Sequence, residues 1–260
     1  MRLLVTGGRT GYLGRHVVAA AAGHEVVAVG SAEADVRDPV AVDALLGRHR
    51  PDAVVHTAYV QSDPEVTGTG AGHVAHAAAR HGARFVLVSS DVVFGGSGRP
   101  YDETAVPDPV SAYGAAKVAA ERAALDSGAD VVVGRTSLIL GDGASKHERL
   151  FHEMACGAGG ALFEDERRCP VHVGDLAAAL VELAGNGIRG VLHLGGADAV
   201  SRLELGRLVA RRDGLDPAAL RGGRRADLPE PGPIDVRLDS RLAASLLTTR
   251  LRGAKEFLAP

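Results

Sequence analysis

Over the first 195 residues, short apolar runs alternate with stretches whose apolar residues recur at helical spacing. "RLLVTG" is an apolar run closed by glycine and predicts a buried strand. "YLGRHVVAAAA" predicts a helix and "HEVVAVG" a second strand. "DPVAVDALLGRH" predicts a second helix, with Asp38 at its cap and Pro39 in its first turn. "DAVVHTA" reads as a third strand, "GAGHVAHAAARHG" as a helix ended by Gly82, and "RFVLVSS" as a fourth strand. A loop rich in glycine and proline follows. Then come a helix carrying Tyr113 and Lys117, the strand "DVVVGRTSLIL", an irregular stretch, the helix "VGDLAAALVELAGNG" and the strand "GVLHLGG".

This alternation predicts an α/β fold, a Rossmann-type doubly wound parallel sheet with helices on both faces. The last third reads differently. "SRLELGRLVARRDG" is one amphipathic helix behind a serine cap, and "GGRRADLPEPGPIDV" is loop-like. Residues 1–144 and 168–195 are therefore expected to form the dinucleotide-type domain. Residues 145–167 and 196–260 are expected to form a small discontinuous substrate lobe.

Composition narrows the function. A net charge of −3 argues against a general nucleic-acid binder. The two cysteines, Cys156 and Cys169, form no zinc or redox spacing, and no apolar run reaches membrane-spanning length. The N-terminus enters a strand pattern at once, so a cytoplasmic protein is expected, without membrane or nucleic-acid partners; a homodimer is compatible. His73, His76 and His81 share one helix but lack neighbouring ligands, so no metal is expected. The late arginines, Arg202, Arg207, Arg211, Arg212, Arg221, Arg224 and Arg225, are able to grip a diphosphate but read more simply as a solvated face.

Two motifs carry chemistry. In "TGGRTGYLG", Gly8, Gly11 and Gly14 follow the first strand and open the first helix. Glycine there permits a tight turn and close approach of a pyrophosphate to free helix N–H groups. Arg9, Thr10, Tyr12 and Leu13 belong to the same loop. After the second strand, Gly30 and Ser31 offer no carboxylate to repel a 2′-phosphate, which with Arg9 leans the expectation toward NADPH over NADH. The second motif is "SAYGAAKVAAE". The chain has only four tyrosines and three lysines, yet Lys117 stands one helical turn after Tyr113. An ammonium beside a phenol is expected to lower its pKa and make it an acid–base group.

With both motifs in place, the chain resembles the extended short-chain dehydrogenase/reductase superfamily. Its segment "SSDVVFGGSGRPYDETAVPDPVSAYGAAKVAAE" resembles the dTDP-4-dehydrorhamnose reductase family, through Ser90, Asp91, Val93, Phe94, Pro100, Tyr101, Glu103, Tyr113, Gly114, Lys117 and Glu121. The resemblance implies NAD(P)H-dependent reduction of a keto group on a nucleotide-linked deoxysugar. It implies that Ser90 binds the substrate carbonyl, that Tyr113 donates the proton, and that Lys117 tunes Tyr113 and holds the nicotinamide ribose. Asp35 and Val36 match the adenine contact and Ala58 the backing of the cofactor; Ser31 is a cofactor-binding candidate by its place after the second strand.

Three positions depart from the family pattern. Val92 and Leu138 replace aromatics that face the sugar, and Thr67 stands where many members carry an asparagine. Val92 also replaces the glutamate of the Asp-Glu pair that dehydratases use, so reduction is favoured over dehydration. Two alternatives remain open: a sugar-nucleotide epimerase of the same fold, and a non-catalytic partner protein like the regulatory subunit of methionine adenosyltransferase.

Overall fold

The computed structural model describes residues 1–230 and 232–259. Six strands, β1 (Arg2–Thr6), β2 (Glu25–Val29), β3 (Ala53–His56), β4 (Arg84–Ser90), β5 (Asp130–Thr136) and β6 (Gly190–Leu194), form one sheet. Their order is β2-β1-β3-β4-β5-β6, and every pairing is parallel. Leu3, Leu4 and Val5 are all fully buried, as a strand covered on both faces requires.

Alternation along the strands sorts the core into two layers. Leu3 and Val5 pack with Leu13 and Val17 of α1 (Tyr12–Ala20) and with Leu176 and Leu180 of α6 (Val173–Gly185). Leu4 and Val54 face the other way. They pack with Leu46 of α2 (Pro39–His49), Ala75 of α3 (Gly70–Arg80) and Ala120 of α4 (Ala112–Leu125). This is the doubly wound α/β fold expected from the sequence. Asp38 caps α2 by accepting from Val40 and Ala41, with Pro39 just inside. Gly82 takes φ +67° after α3.

One segment differs from its reading. Residues expected to be irregular hold α5 (Lys146–Ala155), set by a capping box in which Ser145 and Glu148 satisfy each other's backbone N–H. The S-x-x-E signal was present but masked by the polar surface of a short helix. Phe151 and Met154 of α5 join Leu203, Leu205 and Val209 of α7 (Arg202–Arg212) and Leu258 in a separate apolar cluster. Ser201 caps α7 through Glu204 N–H, as the sequence indicated. Among the described residues no helix is long and apolar enough to cross a membrane.

β1 lies between β2 and β3, so the winding direction reverses there. In an open α/β sheet, such a reversal leaves a crevice at the carboxyl ends of the strands. Read across the sheet, those ends present Ser31, the glycine loop, Ala58, Ser90 and Ser137.

Candidate active site

A cavity of about 980 Å³ opens along this edge. Its lining includes Thr10, Gly11, Tyr12, Leu13, Ser31, Asp35, Val36, Ala58, Ser90, Tyr113 and Lys117. Of the sequence-selected residues, Gly8 and Arg9 do not line it.

The glycine loop is built differently from its reading. The residue in the left-handed region is Gly7, at φ +71°, one position before the expected triplet. A Cβ on Gly14 would lie 2.2 Å from the Gly7 carbonyl oxygen, one on Gly11 2.6 Å from the same atom, and one on Gly8 2.8 Å from the Val5 carbonyl oxygen. All three glycines are thus demanded by the loop's own backbone, before any ligand arrives. Gly11 caps α1 without a side-chain cap, and the first turn carries no acidic residue. The helix N-terminus therefore keeps N–H groups for an anion, which fits a dinucleotide pyrophosphate.

The adenosine end corrects a second expectation. A carboxylate does serve the end of β2: Glu33, three residues after Gly30, folds back to accept the Gly30 N–H at 2.8 Å. Arg9 is ion-paired with Glu33. Arg37 grips Asp35 at 2.6 Å and faces Asp63 at 3.5 Å. Arg9 and Arg37 each already have a carboxylate, so neither stands free to favour a 2′-phosphate. Sequence reading missed Glu33 because it looked only at the two residues that follow the strand.

At the catalytic end, Ser111 caps α4 by accepting from Gly114 N–H. A Cβ at residue 114 would come 2.3 Å from the Val92 carbonyl oxygen, so glycine lets the first turn of α4 lie against the turn that follows β4. Tyr113 is thereby brought into the same cavity as Ser90. Ser90 accepts weakly from Val92 N–H at 3.4 Å and faces Asp91 at 3.3 Å. Lys117 is 4% exposed and donates to the Val88 carbonyl at 2.9 Å. One turn further, Glu121 forms a buried ion pair with Arg135 of β5 at 2.7 Å, which fixes α4 to the sheet. Phe94 stacks on Tyr101 at 4.1 Å between ring centroids, and Glu103 accepts the His193 N–H at 3.0 Å. These contacts give Tyr101 and Glu103 a packing role.

The electrostatics reverse one sequence expectation. Burial holds the Tyr113 phenol above its ordinary value, with Tyr59 and Asp91 adding to the rise and the nearby Ser90 hydroxyl opposing it. Burial lowers Lys117 to about 8, against the opposing effect of Glu121. Burial thus outweighs the nearby Lys117, and the phenol is not depressed overall as expected. Tyr113 stays protonated at neutral pH, the state a proton donor needs. His56, buried behind the site, is pushed down to about 3 by burial and by Lys117, and holds the Thr6 hydroxyl at 2.8 Å.

Further residues surround the site, of which Tyr59 was not singled out from sequence. Tyr59 stands 5.8 Å from Tyr113 between ring centroids, and Lys117 Nζ lies 5.4 Å from the Tyr59 ring. Tyr59 directly follows Ala58, so its place beside the site was available. Asp91 is buried, receives the Ser137 hydroxyl at 2.7 Å and faces Arg168 at 3.8 Å. Arg202, expected on a solvated face, instead lines the cavity with Lys146, His147, Arg149 and Glu166.

Val92 and Leu138 also line the cavity. Thr67 does not: its hydroxyl donates to the Val60 carbonyl at 2.8 Å and accepts the Val60 N–H at 3.2 Å, which commits it to the backbone. His73 and His76 contact backbone carbonyls and His81 contacts Asp43. No cluster suited to a metal ion occurs among the described residues.

Comparison with known proteins agrees with this geometry. The model of the RmlD substrate binding domain matches residues 1–258. A dTDP-4-dehydrorhamnose reductase of Mycobacterium tuberculosis (strain CDC 1551 / Oshkosh) is 35% identical over 279 residues, covering 99% of this chain and 91% of that protein. Methionine adenosyltransferase 2 subunit beta of Rattus norvegicus is 28% identical over 296 residues, covering 100% of this chain and 87% of that protein. In fold, the chain matches the crystal structure of dTDP-4-dehydrorhamnose reductase from Bacillus anthracis in complex with NADP. The TM-score is 0.88 at 19% identity, covering 99% of this chain and 96% of that one. The chain therefore belongs to the RmlD substrate binding domain family, within the extended short-chain dehydrogenases/reductases.

Proposed function

We propose that the protein is an NAD(P)H-dependent reductase of a keto group on a nucleotide-linked deoxysugar. The observation that carries this reading is the convergence of Ser90, Tyr113 and Lys117 on one cavity with the glycine loop. The curated relative at 35% identity is a dTDP-4-dehydrorhamnose reductase, and the dinucleotide-bound neighbour shares the fold. The α5–α7 cluster serves as the substrate lobe, and Leu138 and Val92 give the sugar side an aliphatic wall.

A reduced dinucleotide, when bound, would supply the hydride for the carbonyl carbon. Ser90 holds the carbonyl oxygen through its hydroxyl. Tyr113, protonated at neutral pH, gives its proton to that oxygen as charge develops on it, so hydride and proton together convert ketone to alcohol. The Lys117 ammonium stabilises the phenolate left behind and offers a donor to the nicotinamide ribose. Thr10, Gly11, Tyr12 and Leu13 would hold the pyrophosphate at the start of α1, in the loop that Gly8 shapes; Asp35 and Val36 would hold the adenine, Ser31 the ribose, and Ala58 would back the cofactor. NADPH and NADH are both admitted, with Arg9 and Glu33 setting the balance.

The test is a progress curve with purified protein, NADPH and a 4-keto nucleotide sugar. Reduction consumes one NADPH per ketone; an epimerase would turn substrate over without net consumption. The similarity to the methionine adenosyltransferase subunit supports a second reading, a cofactor-binding partner without turnover. That reading predicts no NADPH consumption and stable co-purification with an unrelated enzyme.

A further inference from the structure

Buried cations of the sheet come with carboxylates. Arg135 is paired with Glu121 at 2.7 Å, and Arg84 with Asp130 at 2.9 Å. Lys117 is buried as deeply but is held otherwise. Its ammonium gives one proton to the Val88 carbonyl. Glu121, the carboxylate that acts on it, is already engaged by Arg135 and by the Ser89 hydroxyl. Burial alone drives such an ammonium toward the neutral amine, which would leave nothing to stabilise a phenolate.

The ammonium faces aromatic rings. Nζ lies 5.4 Å from the centroid of the Tyr59 ring and 6.0 Å from that of Tyr113. The two rings are 5.8 Å apart and inclined at 42°, so Tyr59 stands against both members of the Tyr113–Lys117 pair. The face of an aromatic ring carries negative charge density and attracts a cation. Tyr59 is itself neutral, because burial raises its phenol above the ordinary value. A carboxylate in its place would stabilise the ammonium but offset its field and repel the phenolate. A neutral ring stabilises the ammonium and leaves its charge for Tyr113. The other titratable groups around the pair do not supply that balance: His56 is neutral, and Asp91 receives the Ser137 hydroxyl.

We propose that Tyr59 is a positioning residue of the reaction, whose ring face keeps the Lys117 ammonium charged and beside Tyr113 without a counter-charge. The inference rests on the reading of Tyr113 and Lys117 as the proton-donating pair. It assigns their support to a residue that comes from the end of β3, across the cavity from α4. Tyr59 is 45% exposed, so shortening its side chain leaves the sheet core in place.

The test titrates Lys117 directly and needs no substrate. Trace acetylation with acetic anhydride over a pH series, followed by peptide mass spectrometry, gives a midpoint for each lysine, with the exposed Lys255 as reference. Lys117 of the wild-type protein should titrate near 8. Tyr59→Leu should lower that midpoint by about 0.5–1.5 pH units, the usual worth of an enclosed cation–π contact, and Tyr59→Phe should stay near wild type. Phenylalanines of increasing fluorine content at residue 59 keep the ring and weaken its negative face, so the midpoint should fall step by step. That series decides the matter even if Tyr59→Leu does not fold, which NADPH affinity reports. In each variant the high-pH fall of kcat/KM should move with the midpoint. An unchanged or raised midpoint in folded Tyr59→Leu, or a fluorinated series without a trend, would sink the proposal and leave ketone reduction by Tyr113 standing. A stepwise fall in a protein that reduces no ketone would uphold the contact and sink the reductase reading.

Discussion

Lys117 makes the pH dependence of the reaction predictable. Its ammonium lies 6.0 Å from the centroid of the Tyr113 ring. At an effective dielectric constant of 20, unit charges at that separation attract by about 3 kcal/mol, or roughly a hundredfold in the stability of the phenolate left after proton donation. Lys117 loses its proton near pH 8. Tyr113 is raised above the ordinary phenol value and adds no limb in the same range. The sign follows: activity is full below pH 8 and falls as pH rises through it. The fall should approach tenfold per pH unit and level off about a hundredfold lower. The assay is kcat/KM with NADPH as the varied substrate, because that ratio reports the groups of the cofactor-free enzyme. Lys117→Met should be slow at all pH values and should lack the break near 8. A wild-type profile that is flat from pH 7 to 10, or a break that survives in Lys117→Met, would refute the reasoning.

Other consequences are equally direct. Gly14→Ala puts a methyl 2.2 Å from the Gly7 carbonyl oxygen, so it should cost about 1–3 kcal/mol of stability and most of the dinucleotide affinity; an unchanged urea midpoint would contradict this. Glu33→Gln should raise the ratio of NADPH to NADH affinity, measured by fluorescence titration, because Arg9 is released toward a 2′-phosphate; an unchanged ratio would remove Glu33 from cofactor choice. His56 has a folded pKa near 3 against an ordinary 6.5, so the unfolded chain binds its proton first and stability is lost as pH falls below 6.5. By pH 5 this one group should cost about 2 kcal/mol, read as a lower urea midpoint, and His56→Gln should show a shallower acid slope.

The strands were legible because both faces of the sheet are covered, which leaves runs such as Leu3–Leu4–Val5 with no polar position. Tyr113 and Lys117 were legible because one helical turn separates them on a face that meets the sheet. What escaped depended on distance in space. Glu33 reaches Gly30 only because the chain turns back after β2. Arg202 and His147 meet across α5 and α7, 55 residues apart in sequence, and no local pattern announces that contact. The glycine triplet was found for an incomplete reason: its side-chain-free positions answer to the Gly7 and Val5 carbonyls, so a side chain there disturbs the loop itself before any pyrophosphate approaches. The direction of the Tyr113 shift was also beyond sequence, because burial outweighs the nearby lysine.

The central claim is that Tyr113 is the proton donor of a ketone reduction. Tyr113→Phe removes one oxygen and keeps the ring against Tyr59, so the packing and the dinucleotide site should survive. The decisive measurement is single-turnover oxidation of bound NADPH on mixing with a 4-keto nucleotide sugar, alongside NADPH affinity of the same sample. The account predicts unchanged affinity and a rate lower by about 10²–10⁴. A Tyr113→Phe enzyme that reduces the ketone at the wild-type rate would contradict it.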